Sequence, residues 1–161
     1  MSLVQSFPPI GCERSKLIIL GSMPGELSLK AGQYYAHPQN AFWDIMGELF
    51  GAGRSLPYQE RVAILQSVGV ALWDALQACT RPGSLDASIT EEVANNFPAL
   101  FAEYPNISHV FFNGGTAERR RFAVTCSLRC PKTTTSSHAC HRPALRMPQC
   151  DWKPKCGHGP S

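Results

Sequence analysis

A chain of 161 residues with 43% hydrophobic and 17% charged residues suits one soluble globular domain with a real core, and excludes a disordered or fibrous polymer. No stretch approaches the roughly 20 apolar residues of a membrane span, and the opening MSLVQSFPPIGCERSK lacks a basic region followed by a long apolar run, so a cytoplasmic protein without membrane or signal segment is expected. The formal charge of +3 is unevenly divided: residues 1–120 hold 8 Lys+Arg against 11 Asp+Glu, whereas residues 121–161 hold 7 against the single Asp151, so the body gives no electrostatic sign of nucleic-acid binding.

Residues 1–15 read as a polar, proline-bearing lead-in. Lys16–Leu20 is an aliphatic run that stops at Gly21, the pattern of a strand buried on both faces of a parallel sheet. Gly21-Ser22-Met23-Pro24-Gly25 then turns the chain at that strand's carboxyl end, the edge where ligands of open α/β sheets bind. Glu26–Ala31 has the length of a helical turn. Tyr34, Tyr35, His37, Pro38 and Asn40 follow, too dense in aromatic and polar groups for a solvent loop. Ala41–Phe50 spaces Phe42, Trp43, Ile45, Met46, Leu49 and Phe50 as a helix ending at Gly51.

The helix predicted over Pro57–Ser67 sets Val62, Leu65 and Val68 on one apolar face. Gly69–Trp73 is a second strand, with Asp74 at its end able to bind a ligand but read first as a solvated carboxylate, followed by a polar loop containing Arg81-Pro82-Gly83. Ile89–Ala94 and Asn96–Glu103 read as short helices and Ile107–Phe112 as a third strand. Asn113-Gly114-Gly115 turns into a helix near Thr116. Strands alternating with helices predict a parallel α/β sheet with right-handed crossovers.

After Arg121 the pattern stops. Five of the seven cysteines (Cys126, Cys130, Cys140, Cys150 and Cys156) fall there among prolines and basic residues, with no sustained apolar period. Their gaps are irregular where zinc modules pair ligands tightly, and a cytosolic chain does not keep disulfides, so neither a metal site nor a disulfide framework is expected.

GSMPG at 21–25, QYYAHPQNAFW at 33–43, ALWDAL at 71–76, RPGSLD at 81–86 and FFNGGTAE at 111–118 together resemble the uracil-DNA glycosylase superfamily, specifically its DNA-deoxyinosine (hypoxanthine-DNA) glycosylase branch. The resemblance covers residues 8–120. It implies a three-layer α/β/α fold with a parallel central sheet, no cofactor or metal, a monomer, and DNA containing deaminated bases as partner. Such an enzyme takes its base out of the stack and sets water against the anomeric carbon. Amide donors then stabilise the charge left on the departing base.

Carried over residue by residue, the resemblance gives Asn40 the catalytic role of orienting water. Tyr35 is the stacking aromatic, Ser22, Met23 and Asn113 accompany it at the base, and Gly21, Pro24, Gly25 and His37 lie at the DNA strand. In mismatch-specific uracil glycosylases an Asn of the first motif handles the water; Met23 stands there in this chain and cannot, which favours hypoxanthine over uracil.

The plainer readings stand beside these. Asn40 begins an apolar helix and, taken alone, reads first as an N-cap; within the motif set that order reverses. Tyr34, Phe42 and Trp43 read as core. His37 is balanced between a phosphate contact and a turn cap, and Asn113 between reading a base edge and an Asx-turn with Gly114.

The family's second motif, a loop resembling SPAH after a fourth strand, is absent. Residues 121–161 are expected to be an unpacked Cys- and Pro-rich basic tail in the wrong reading frame, one base having been lost near codon 121. Codons compatible with Cys140–Met147, read from the last base of the first, give Pro-Ser-Thr-Ser-Pro-Ala-His. The fold would then lack its last strand and helix. The rival functional reading is an inactive member retaining only part of the base pocket. A nucleotide-binding module built on GSMPG is weaker, because the loop lacks the Lys-Ser/Thr of a P-loop.

Overall fold

The computed structural model describes residues 3–114. The tail from 121, the reading-frame expectation that concerns it and the helix near Thr116 lie outside the described residues. In chain order the elements are β1 (Leu3–Gln5), β2 (Leu17–Gly21), α1 (Glu26–Ala31), α2 (Phe42–Phe50), α3 (Tyr58–Ser67), β3 (Val70–Asp74), β4 (Leu76–Thr80), a 3-10 turn (Asp86–Ser88), β5 (Thr90–Ala94), α4 (Phe97–Glu103) and β6 (His109–Phe112). β2 lies between β3 and β6 and is parallel to both, with Ile18 opposite Ala71 on one side and Val110 on the other.

Side chains alternate across a strand, and here both faces are apolar. Ile18, Leu20, Ala71, Trp73 and Val110 pack on one face against Phe97 and Leu100 of α4. On the other, Val70 and Leu72, with Leu17 and Ile19, pack against Phe42, Trp43 and Met46 of α2 and Leu65 of α3. Helices therefore cover both faces of a parallel sheet, a three-layer arrangement. Each fully buried large side chain removes apolar surface worth about 1.5–3 kcal/mol. α2 stops where Gly51 takes the left-handed conformation at φ 76°, which glycine enters without a Cβ penalty.

Five expectations are corrected. Ile89–Ala94 is not a helix: Thr90–Ala94 is a strand, antiparallel to β4. Its residues are exposed apart from the half-buried Ala94, so backbone pairing with β4 decides its state rather than an apolar face. The expected polar loop after Trp73 contains β4, and the lead-in contains β1. The three strands form a second, antiparallel sheet in the order β1-β4-β5, over a small core of Met23, Leu76 and Cys79. On α3 the core side is Ile64 and Leu65, while Val68 is 37% exposed. Asp74 is not solvated but buried.

Candidate active site

Gly21, Asp74 and Asn113 stand at or just beyond the carboxyl ends of β2, β3 and β6, the edge of a parallel sheet where ligands bind. Gly21 pairs in register with Asp74, and the Asn113 N–H donates to the Leu20 carbonyl at 2.8 Å. A cavity of about 520 Å³ opens on this edge. All nine residues proposed from sequence line it: Gly21, Ser22, Met23, Pro24, Gly25, Tyr35, His37, Asn40 and Asn113. Tyr34, Asp74, Ser84 and Asp86 join them.

The turn over 21–25 is held from behind. Arg81, 2% exposed, donates through Nη2 to the Pro24 carbonyl, and its Nη1 lies 3.4 Å from Asp86 Oδ1. Asp86 Oδ2 in turn accepts the Ser22 hydroxyl at 2.6 Å. Ser84 Oγ accepts the Glu26 N–H at 2.9 Å. The RPGSLD segment thus braces the GSMPG turn through a buried guanidinium shared between a carbonyl and a carboxylate, the geometry in which arginine surpasses lysine. Met23 packs with Leu76 and Cys79 while lining the cavity.

The aromatic loop is fixed by its own core. Tyr34 is 4% exposed, its hydroxyl donating to the Pro8 carbonyl at 3.1 Å and its carbonyl accepting from Trp43 Nε1 at 2.9 Å. Burial raises the Tyr34 phenol far above its ordinary range, so it stays neutral. Tyr35 takes a left-handed backbone, φ 54°, uncommon for a large side chain. Its ring stacks on Phe42 with centroids 4.0 Å apart and planes 22° from parallel. One face is thereby committed to the protein. Ser28 of α1 accepts the Ala36 N–H at 3.2 Å, tying the loop to the helix beside it.

The N-cap position of α2 is Ala41 rather than Asn40, but Asn40 Oδ1 accepts the N–H of Phe42, the first residue of the helix, at 2.9 Å. That uses one lone pair and leaves the amide N–H₂ and the second lone pair unspent by this bond, so holding the helix start and orienting a water are compatible. His37 Nδ1 accepts the Gln39 N–H at 3.1 Å, which closes a local turn while the ring borders the cavity.

Arg54 escaped the sequence reading. Its Nη2 donates to the carbonyls of both His37 and Asn40, and its Nε sits 3.1 Å from Asp44 Oδ1 on α2. It therefore pins both ends of the loop that carries Asn40. The ion pair is partly exposed and adds little stability. Charge-assisted bonds to carbonyls are worth about 1.5–3 kcal/mol. Arg54→Ala is accordingly expected to speed amide exchange at Asn40, whose N–H donates to the His37 carbonyl at 3.0 Å, by about tenfold or more. Exchange unchanged from wild type would mean the loop holds without its clamp.

Asp74, expected in solvent, lies instead in the cavity wall. The side chain is 3% exposed, and burial, then the charge of Asp86, push its carboxyl up to about 7 against the opposing pull of Arg81. Its Oδ2 is buried without a hydrogen-bond partner among the described residues. A Cβ added at Gly21 would lie 2.7 Å from Asp74 Oδ1 and 3.2 Å from the Tyr35 hydroxyl oxygen, so the glycine is what lets the two groups approach the strand. No group of three or more His, Cys, Asp or Glu side chains among the described residues is placed to hold a metal, and no helix among them is long and apolar enough to cross a membrane.

The sequence profile of the uracil DNA glycosylase superfamily matches residues 8–153, past the boundary at 120 drawn from the motifs. A protein named hypoxanthine DNA glycosylase from Methanosarcina barkeri (strain Fusaro) is 34% identical over 149 residues, 92% of this chain and 94% of that one. Another of the same name from Methanosarcina acetivorans is 33% identical over 114 residues, 70% and 72% of the two. The solution NMR structure of a candidate uracil DNA glycosylase from Methanosarcina acetivorans superposes with a TM-score of 0.69 at 29% identity, covering 83% of each chain.

Proposed function

The chain belongs to the uracil DNA glycosylase superfamily and is a DNA N-glycosylase; from that premise we propose that the base it releases is hypoxanthine, by hydrolysis of the N-glycosidic bond of deoxyinosine. One observation supports this most. In the cavity at the sheet edge, the first-motif position that would handle water is Met23, and the amide available for it is Asn40. The relatives named hypoxanthine DNA glycosylase give the substrate its second support.

In this reading the deoxyinosine is flipped from the duplex, at a cost of a few kcal/mol, and its base enters between Tyr35 and the 21–25 turn. Asn40, locked by the Phe42 N–H and by Arg54, aims its remaining hydrogen-bonding capacity at a water and sets that water against the anomeric carbon. Charge gathers on the base as the bond breaks, and Asn113 and the backbone N–H groups of the turn are the donors placed to meet it. His37 and the glycines of the turn take the sugar-phosphate strand.

Release of hypoxanthine from an inosine-containing duplex, with a uracil-containing duplex beside it, tests the reading directly. Uracil released faster than hypoxanthine would reverse the substrate assignment, and release of neither base would favour the inactive rival. The stacking role has its own measurement. Tyr35→Ala is expected to weaken capture of the flipped base by about 1–3 kcal/mol, the worth of a base–aromatic stack. Tyr35→Phe keeps the ring and is expected to be nearly neutral. A Phe variant as damaged as Ala would transfer the role from the ring to the hydroxyl.

A further inference from the structure

We propose that Arg61, stacked on Trp43, binds a backbone phosphodiester of the DNA beside the flipped nucleotide, with Arg54 adding its charge; the proposal rests on the glycosylase reading above. The guanidinium carbon of Arg61 lies 4.5 Å from the centre of the Trp43 ring and 5.4 Å from that of Tyr58, so two rings hold its plane. Asp44 pairs with Arg54 and Asp86 with Arg81, and no carboxylate among the described residues pairs with Arg61. Its Nε is buried without a hydrogen-bond partner among the described residues. A cation drawn part-way out of water with no anion to match it is costly, and an anionic ligand recovers that cost.

The topology sets this cation at the edge of the sheet where the cavity opens. α3 packs on the sheet through Leu65 and runs into β3 through Val68 and Gly69 alone, so helix and strand are antiparallel. The first turn of α3, which carries Tyr58 and Arg61, therefore stands at the carboxyl end of β3. Tyr58 joins that turn to the aromatic loop, its hydroxyl accepting the Tyr34 N–H at 3.1 Å, and Tyr34 lines the cavity. Arg54 holds the carbonyls of His37 and Asn40 in the same loop. Burial, then the charge of Arg54, pull the Arg61 guanidinium below its ordinary value, so the two cations act on one another beside the loop. Arg14 precedes β2 and stands at the opposite edge, while Arg81 is enclosed behind the 21–25 turn. The negative balance of residues 1–120 thus hides a local pair of cations.

A phosphodiester is the anion this arrangement suits. A planar guanidinium offers parallel N–H donors to two phosphate oxygens at once, and stacking on an indole orients the plane without spending any of those donors. A nucleotide whose base fills the cavity is tied to a strand that crosses the rim, and the loop over 37–40 with the two arginines beside it forms one side of that rim. Such a contact positions the strand and carries no base information. Its loss is therefore felt equally by damaged and undamaged DNA, which separates Arg61 from the residues that meet the base.

The test is fluorescence anisotropy of the full chain with an undamaged and an inosine-containing duplex, between about 50 and 200 mM salt. Arg61→Met keeps an apolar stem over Trp43 and removes the charge. It is expected to weaken binding of both duplexes by about tenfold and to lower the slope of log affinity against log salt by about 0.9, the share of one phosphate. Arg61→Lys keeps the charge and is expected to keep the wild-type slope. An unchanged slope in Arg61→Met would overturn the proposal, as would binding of neither duplex by wild type. So would equal losses in Arg61→Met and Arg61→Lys, which assign the effect to packing on Trp43, or a loss confined to the inosine-containing duplex, which assigns it to the base. Inorganic phosphate titrated alone in a thermal melt separates a free anion from the strand: stabilisation lost in Arg61→Met beside an unchanged DNA slope overturns the DNA assignment. Base release, measured in parallel, judges the glycosylase reading separately: excision with the slope unlowered refutes the Arg61 contact alone, and a lowered slope without excision of either base refutes the enzyme alone.

Discussion

Asn40→Ala is expected to slow single-turnover release of hypoxanthine by about 10²–10⁴-fold, the range spanned by loss of a group that positions or activates the attacking water. The structure complicates the simple variant, because Asn40 Oδ1 also accepts the Phe42 N–H at the start of α2. Losing that bond costs about 1 kcal/mol of stability, which alone cannot account for so large a fall in rate. Asn40→Ser separates the two functions. The serine hydroxyl can still receive the helix N–H but is too short to hold the water, so it is expected to recover the lost stability and remain as slow as alanine. Single-turnover kinetics beside denaturant melts decide between them. A serine variant that excises at the wild-type rate would reduce Asn40 to a cap.

The second large effect is structural. Trp43 is fully buried between α2 and the sheet, packs edge-on against Phe42 and Tyr58 with centroids 5.0 and 5.9 Å away, and carries the Arg61 guanidinium 4.5 Å above its ring. Trp43→Ala removes all of this and is expected to destabilise the fold by about 3–5 kcal/mol, a large part of the margin of a domain this size. Trp43→Phe keeps the larger part of the packing but abandons the bond from Nε1 to the Tyr34 carbonyl. It is expected to cost about 1–2 kcal/mol and to loosen the loop that carries Tyr35. Chemical denaturation midpoints give both values. A loss under about 1 kcal/mol for alanine would show that the cavity collapses or that α2 carries less of the core than its burial indicates.

What could be read in advance follows from where the signal sits. β2 was legible because Leu17, Ile18, Ile19 and Leu20 are apolar on both faces, which only a doubly covered strand requires. The nine proposed residues line one cavity because they cluster in two short motifs that follow that strand and in Asn113 after β6. β5 was not legible: Glu91 and Glu92 are exposed, and the strand exists because its backbone finds β4. β1 is three residues long and has the same cause. Arg54 was missed, and Asp74 was given to solvent, for a different reason. Neither is unusual in its local sequence, and their importance comes from what the fold brings to them: the loop carbonyls of His37 and Asn40 for the one, and enclosure beside Asp86 for the other.

The close fit of Gly21 to Asp74 has a consequence for how such a chain can change by mutation. The first methyl group placed at position 21 meets the carboxylate before it meets anything else, so an alanine there is blocked while residue 74 keeps its present length and direction. A shorter side chain at 74 relieves the closest contact and leaves the Tyr35 hydroxyl oxygen, at 3.2 Å, as the next neighbour. The two positions behave as one inherited unit, open along a path that alters 74 first and closed along the reverse. Diversification of this part of the cavity wall therefore has an order of events imposed on it by a single missing methyl group.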